Sequence, residues 1–175
     1  HAKEEVANLT EVQKNTALLK MADALVSDTQ KILDANKKDI EKARGTVSEV
    51  MLDRLLLNAD RIAAMACGIR AVAKLPDPVG LTLDSFTRDD GLRITKVSVP
   101  IGVIAIIYES RPNVTSDAAA LSLKSGNVCV LRGGKEAFNS ACAVVSALRK
   151  GLSAAGVTEN AINLVTDTSR DSATA

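Results

Sequence analysis

The sequence predicts an α/β fold: N-terminal helices, a β-hairpin flap, and then a parallel βαβαβ sheet that is only partly built. Three observations predict it. First, Val103 to Ile107 and Val128 to Leu131 are short apolar runs rich in β-branched residues, the pattern of strands buried on both faces. Second, each run ends in a polar cluster, and a helical stretch lies between them. Strand, helix and strand then form a parallel unit whose polar turns share one end of the sheet. Third, the chain before Pro76 keeps a helical rhythm of apolar residues.

The helices come first. Thr10 with Gln13 is a capping box, and Leu18, Met21, Ala22 and Leu25 follow at the spacing of an amphipathic helix. Ser27 or Asp28 caps a second helix with an apolar face of Ile32, Leu33, Ile40 and Ala43, stopped by Gly45. Its outer face, Lys37, Lys38, Asp39, Glu41 and Lys42, mixes both signs and reads as a solvated surface. A third helical stretch covers 48–57. A fourth starts near Asn58 and runs through Ile62, Ala66, Ile69 and Val72.

Pro76, Pro78 and Gly80 mark a boundary, and two extended runs follow at 81–86 and 92–99. Asp90-Gly91 between them is a hairpin turn. From Pro100 the pattern is strand 102–107, helix 116–125, strand 127–131, helix 139–155 and strand 161–165. Pro112 breaks the chain ahead of the first of these helices. Ala143, Val144, Ala147 and Leu148 form the apolar face of the second. The divisions are therefore 1–79, helical; 80–99, hairpin; and 100–175, the sheet unit. The tail 167–175 is polar. A chain that opens on His1 and stops just after a third strand is expected to be the N-terminal portion of something longer.

Composition narrows the function classes. The 175 residues are 46% hydrophobic, enough for a core, with a net charge of +1 that gives no electrostatic case for nucleic acid. Two Phe and one Tyr provide no base-stacking platform. No run has the length of a membrane span, and the N-terminus lacks a charged-then-apolar leader pattern. Cys67, Cys129 and Cys142 have neither metal nor redox spacing; each lies in an apolar segment and reads as a buried, reduced thiol. No metal site and a cytoplasmic location are expected from this.

The two polar turns are the candidate site. The first is Glu109-Ser-Arg-Pro-Asn113, with no glycine, so the Gly-x-Gly-x-x-Gly dinucleotide fingerprint is missing. On its own, Pro112-Asn113 could simply end the strand and cap the next helix. The second turn, Arg132-Gly-Gly-Lys-Glu136, offers two cations beside a glycine pair that permits close approach of a ligand. It also reads as a salt-bridged surface turn.

These same residues carry a family resemblance. "VPIGVIAIIYESRPNVTSDAAALSLKSGN" followed by "LRGGKE" resembles the gamma-glutamyl phosphate reductase (glutamate-5-semialdehyde dehydrogenase) family, a branch of the aldehyde dehydrogenase superfamily. The similarity runs from about Asn8 to the end of the chain and is nearly gap-free. It implies a Rossmann-like NADP-binding fold of the aldehyde dehydrogenase type, of which this chain holds the first half. It implies NADPH-dependent reduction of gamma-glutamyl phosphate in proline biosynthesis. Homo-oligomers built through the hairpin and glutamate 5-kinase as a partner are implied as well. Members of this superfamily bind the cofactor without the glycine fingerprint, so the resemblance assigns cofactor contacts to Glu109, Ser110, Arg132, Gly133, Gly134, Lys135 and Glu136. Asn113 becomes the side-chain amide that stabilises a developing oxyanion, and Arg111 a clamp on the substrate's phosphate or carboxylate. Strand-based and proline-based alignments differ by one or two residues, so Ser110 or Arg111 is an alternative for the Asn113 role. The family's nucleophilic cysteine lies downstream of Ala175, and none of the three cysteines here replaces it.

The resemblance also implies a cofactor preference. Relatives that use NAD place a lysine after the second strand and a glutamate three residues later. Here these positions hold Arg132 and Lys135, so two cations stand where a ribose-binding carboxylate would be, which favours NADP(H). Glu136, one residue on, would reverse that preference if the register shifted. Two readings remain beside this one: another aldehyde or acyl dehydrogenase, and a non-catalytic nucleotide-binding, assembly or interaction module.

Overall fold

The structure is a computed structural model and describes residues 1–169, so the end of the 167–175 tail and of the 100–175 division lies outside the described residues. The helices are α1 (Ala2–Ala7), α2 (Glu11–Ser27), α3 (Thr29–Ala43), α4 (Glu49–Leu55) and α5 (Ala59–Ala73). A hairpin of β1 (Thr82–Thr87) and β2 (Arg93–Val97) follows. Then come β3 (Val103–Ile107), α6 (Pro112–Lys124), β4 (Val128–Arg132), α7 (Phe138–Ala154) and β5 (Ile162–Leu164). The expected architecture is present: helices, an antiparallel hairpin, and a parallel three-stranded sheet of order β3-β4-β5.

Side-chain caps set the starts of three helices. Thr10 and Gln13 form the reciprocal capping box at the start of α2. Ser48 and Asn58 accept the Met51 and Arg61 amides and start α4 and α5. Two differences from the sequence reading go beyond one or two residues at an element's end. α1 was not anticipated; it is a short helix whose one buried side chain, Val6, gives no periodicity to detect. α6 begins at Pro112 rather than near Ser116, because proline sits at the first helical position, where its missing N–H costs nothing. Pro112 therefore opens this helix instead of breaking the chain ahead of it.

One core joins the two ends of the chain. Leu18, Met21 and Leu25 of α2 pack with Ile62, Met65 and Ile69 of α5 and with Val144, Leu148 and Leu152 of α7. Gly151 makes this possible, since a Cβ there would lie 2.5 Å from the Met21 Cα. The strands are less enclosed than their composition suggests. β4 is buried, but β3 is an edge strand with Val103 and Ile107 exposed. Only its alternate residues, such as Ile106, meet the core, so β3 is covered on one face rather than two. The hairpin residues are all exposed, with Leu83, Phe86, Leu92 and Ile94 among the large apolar ones. Among the described residues no helix is long and apolar enough to cross a membrane.

Charges inside this core have named partners. Lys14, 1% exposed, pairs with Asp77 at 2.5 Å. Lys124 is also buried and donates to Asn15 Oδ1 at 2.7 Å. Asp39, read from sequence as part of a solvated face, is buried. Its Oδ1 accepts the Asn139 amide, and its Oδ2 accepts both the amide and the hydroxyl of Ser140. The reason is that α7 has no side-chain cap of its own, and Asp39 supplies one from α3. The three thiols are not equally buried either: Cys129 is buried, Cys142 half-buried and Cys67 exposed. Met65, Ala66 and Ile69 face the core, and Cys67, about 100° around the helix from Ala66, faces out.

Candidate active site

Parallel pairing brings the two predicted turns together. Ile107 lies opposite Arg132, so β3 and β4 end at the same level, and the Tyr108 amide donates to the Arg132 carbonyl at 3.1 Å. β5 adds a third end beside them, with the Val165 amide on the Leu131 carbonyl. Ligands of open α/β sheets bind at such carboxyl ends.

The turns then lock onto each other. The Ser110 hydroxyl donates to Glu136 Oε2 at 2.5 Å. That hydrogen bond is the main reason the Glu136 carboxyl titrates below its ordinary value; its own backbone and the charges of Lys135 and Arg132 add to it, against a partial cost of burial. Gly134 packs directly on Ser110: a Cβ there would fall 2.1 Å from the Ser110 Oγ. Gly133 lies against the Tyr108 ring, whose hydroxyl shares a 2.7 Å hydrogen bond with Thr115. Burial raises the Tyr108 phenol above its usual value, so it stays neutral. Arg132 reaches across to the third turn. Its Nη2 donates to the Thr168 and Ser169 carbonyls at 3.2 and 2.7 Å, and its Nε is buried without a hydrogen bond.

Among the described residues, three cavities adjoin the first two turns. One of about 360 Å³ is lined by Glu109, Ser110, Arg111, Gly134 and Glu136, together with Met51 and Arg54. A second, about 460 Å³, holds Arg111 and Asn113 with Arg54, Arg61, Asp53 and Asp117. A third, about 510 Å³, is lined by Lys135 and Glu136 with Lys42, Thr46, Asn139 and Thr168. The predicted residues are thus brought to one end of the sheet but divided among adjoining spaces. Asn113 sits in the first turn of α6, exposed, donating to Asp117 Oδ2 at 3.3 Å. Burial raises the Asp117 carboxyl above its ordinary value, with the Asn113 contact opposing. Arg132 and Gly133 line none of the three cavities; Arg132 ties the turns together instead. Lys42, read from sequence as part of a solvated face, and Arg54, which carries no motif in the sequence, are brought to the turns only by the tertiary fold.

The cysteines take no part in this arrangement. Burial pushes the Cys129 thiol up to about 11, and burial followed by the Asp39 charge raises Cys142. A thiol held this way is a poor nucleophile.

The fold is that of the aldehyde dehydrogenases. It superposes on a probable aldehyde dehydrogenase from Listeria monocytogenes with a TM-score of 0.73 over 98% of this chain and 35% of that one, at 17% identity. More particularly, the chain is homologous to gamma-glutamyl phosphate reductases. It is 62% identical over 165 residues to the protein of that name from Streptococcus suis, covering 94% of this chain. It is 58% identical over 170 residues to one from Streptococcus pneumoniae. The crystal structure of the gamma-glutamyl phosphate reductase from Thermotoga maritima matches with a TM-score of 0.94 at 47% identity, over 97% of this chain and 41% of that one. The chain spans about 40% of the length of the curated relatives it matches. No protein-family model matches it.

Proposed function

We propose that this chain is the cofactor-binding part of an NADPH-dependent reductase that converts L-glutamate 5-phosphate to L-glutamate 5-semialdehyde in cytoplasmic proline biosynthesis. The likeness to the gamma-glutamyl phosphate reductases carries the reading. The three strand-end turns support it, because they meet at the carboxyl end of the parallel sheet, where α/β folds bind nucleotides. Gly133 and Gly134 let the second turn pack closely on Tyr108 and Ser110, Gly134 lines the smallest cavity, and Lys135 stands exposed at the rim of a cavity that also has Lys42. NADPH, when bound, supplies the hydride. Lys135 and Lys42 are the cations for its 2′-phosphate, while Arg132, bonded to the Thr168 and Ser169 carbonyls, holds the turns in position. The Glu136 carboxylate also lines that cavity, and the Ser110 hydroxyl holds its Oε2 toward the first turn.

In this reading Asn113 offers its side-chain amide to the oxyanion that forms at the acyl carbon, a contribution of roughly 3–4 kcal/mol. Arg111 binds an anionic group of the substrate. The attacking thiolate comes from a cysteine outside this chain, so the 175 residues alone turn nothing over. The exposed apolar hairpin mediates self-association, and glutamate 5-kinase, which makes the acyl phosphate, is the natural partner.

The test is Lys135→Glu in the full-length enzyme, with kcat/KM measured for NADP+ and NAD+ in the oxidation of the semialdehyde with phosphate. The preference for NADP+ should fall tenfold or more. An unchanged ratio removes Lys135 from the phosphate site, and a wild-type enzyme that ignores both substrates removes the activity itself.

A further inference from the structure

We propose that Arg54, on α4, forms with Arg111 a two-guanidinium clamp for an oxyanion group of the substrate, either its phosphoryl group or its carboxylate. The inference rests on the reductase reading and extends it to a residue on a different element. Three arginines surround the 460 Å³ cavity that contains Asn113. Arg61 is committed: it donates to the Asp53 and Leu56 carbonyls and pairs with the Asp53 carboxylate at 2.9 Å. That set of bonds holds the turn from α4 to α5 in place. The side chains of Arg54 and Arg111 have no hydrogen bond or ion pair among the described residues.

These two are also the residues that line both this cavity and the neighbouring one built on Ser110 and Glu136. They therefore stand where the two spaces meet. Acids nearby are mostly engaged, Asp53 by Arg61, Glu136 by Ser110 and Asp117 by Asn113. Glu109 is the exception, an exposed carboxylate in the smaller cavity. Two unpaired guanidiniums facing shared spaces repel each other and leave forked donors open, and an anion with two or three oxygens satisfies both. Arg111 is held for this by Pro112, which restricts the preceding residue to the extended backbone observed, φ −121° and ψ 104°. Arg54 is held at the end of a helix whose first turn Ser48 caps.

The experiment uses the full-length enzyme in the oxidative direction, with semialdehyde, phosphate and NADP+ varied in turn. Arg54→Ala should raise the KM for phosphate or for semialdehyde at least tenfold, with the KM for NADP+ within twofold and the melting temperature unchanged. A rise for phosphate assigns the phosphoryl group to the clamp, and a rise for semialdehyde assigns the carboxylate. Arg54→Lys should recover part of the loss, since it restores charge without the fork. If both substrate KM values stay within twofold in Arg54→Ala, the clamp is wrong while the reductase reading stands. A wild-type enzyme inactive on these substrates overturns both.

Discussion

Asp39 holds the start of α7 from another helix: its Oδ2 accepts the Ser140 amide at 2.7 Å and the Ser140 hydroxyl at 2.6 Å. Ser140 in turn accepts from Asn36 Nδ2 at 3.0 Å, and Asn36 also bonds the Leu55 carbonyl and the Leu57 amide. One buried polar network thus joins α3, the end of α4 and the helix that leads away from the second turn of the site. Because Lys135 and Glu136 lie just before α7, the position of that turn depends on a residue about a hundred positions earlier.

Removing Asp39 should therefore be costly. Asp39→Ala leaves two helix-start amides and a buried hydroxyl without their acceptor, and should cost about 2–4 kcal/mol. Asp39→Asn keeps a carbonyl oxygen and should lose roughly half as much. Urea unfolding of the three proteins is the measurement. A loss below about 1 kcal/mol for the alanine variant would mean that water replaces the cap.

Acid should expose the Lys14–Asp77 pair. Burial alone would raise the Asp77 carboxyl, but the Lys14 hydrogen bond, the Val79 amide and the charges of Lys14 and Lys124 outweigh it and hold it below the ordinary 3.8. With a lowered native pKa, the unfolded chain takes up the proton first as pH falls. The stabilisation is complete above roughly pH 5 and disappears as pH drops through the native value. Asp77→Asn strands a buried lysine and should cost about 3–5 kcal/mol at pH 7. The gap between wild type and variant should narrow at pH 3. A gap that is constant with pH would contradict the pairing.

The thiols should label in order of exposure. Cys67 should react with a maleimide first, Cys142 more slowly, and Cys129 only on unfolding. Cys67→Ser should change stability by less than about 0.5 kcal/mol, whereas Cys129→Ser buries a hydroxyl and should cost about 1–3 kcal/mol. Fast labelling of Cys129 in the folded protein would place it outside the core.

Much of this was legible in the sequence, and the reasons are local. The runs at 103–107 and 128–131, the Asp90-Gly91 turn and the Thr10 cap each carry their signal within a few residues, and each is found where expected. What escaped is set by partners far along the chain. Asp39 and Lys14 look like surface charges until α7 and Asp77 arrive. β-branched composition marks β3 as a strand but does not say that one of its faces is open. In the site, the turns and their glycines were readable. The commitment of Arg132 to the third turn was not, because the carbonyls it binds carry no side-chain signature.

Gly151 has a consequence for how the chain divides. By letting α7 touch the backbone of α2, it merges the segments on either side of the hairpin into one core. The hairpin is then an insertion within a single folding unit, not a joint between two. Among the described residues, the segments before and after it each bury apolar side chains against the other, α2 against α7 and α5 against α6, and share one core.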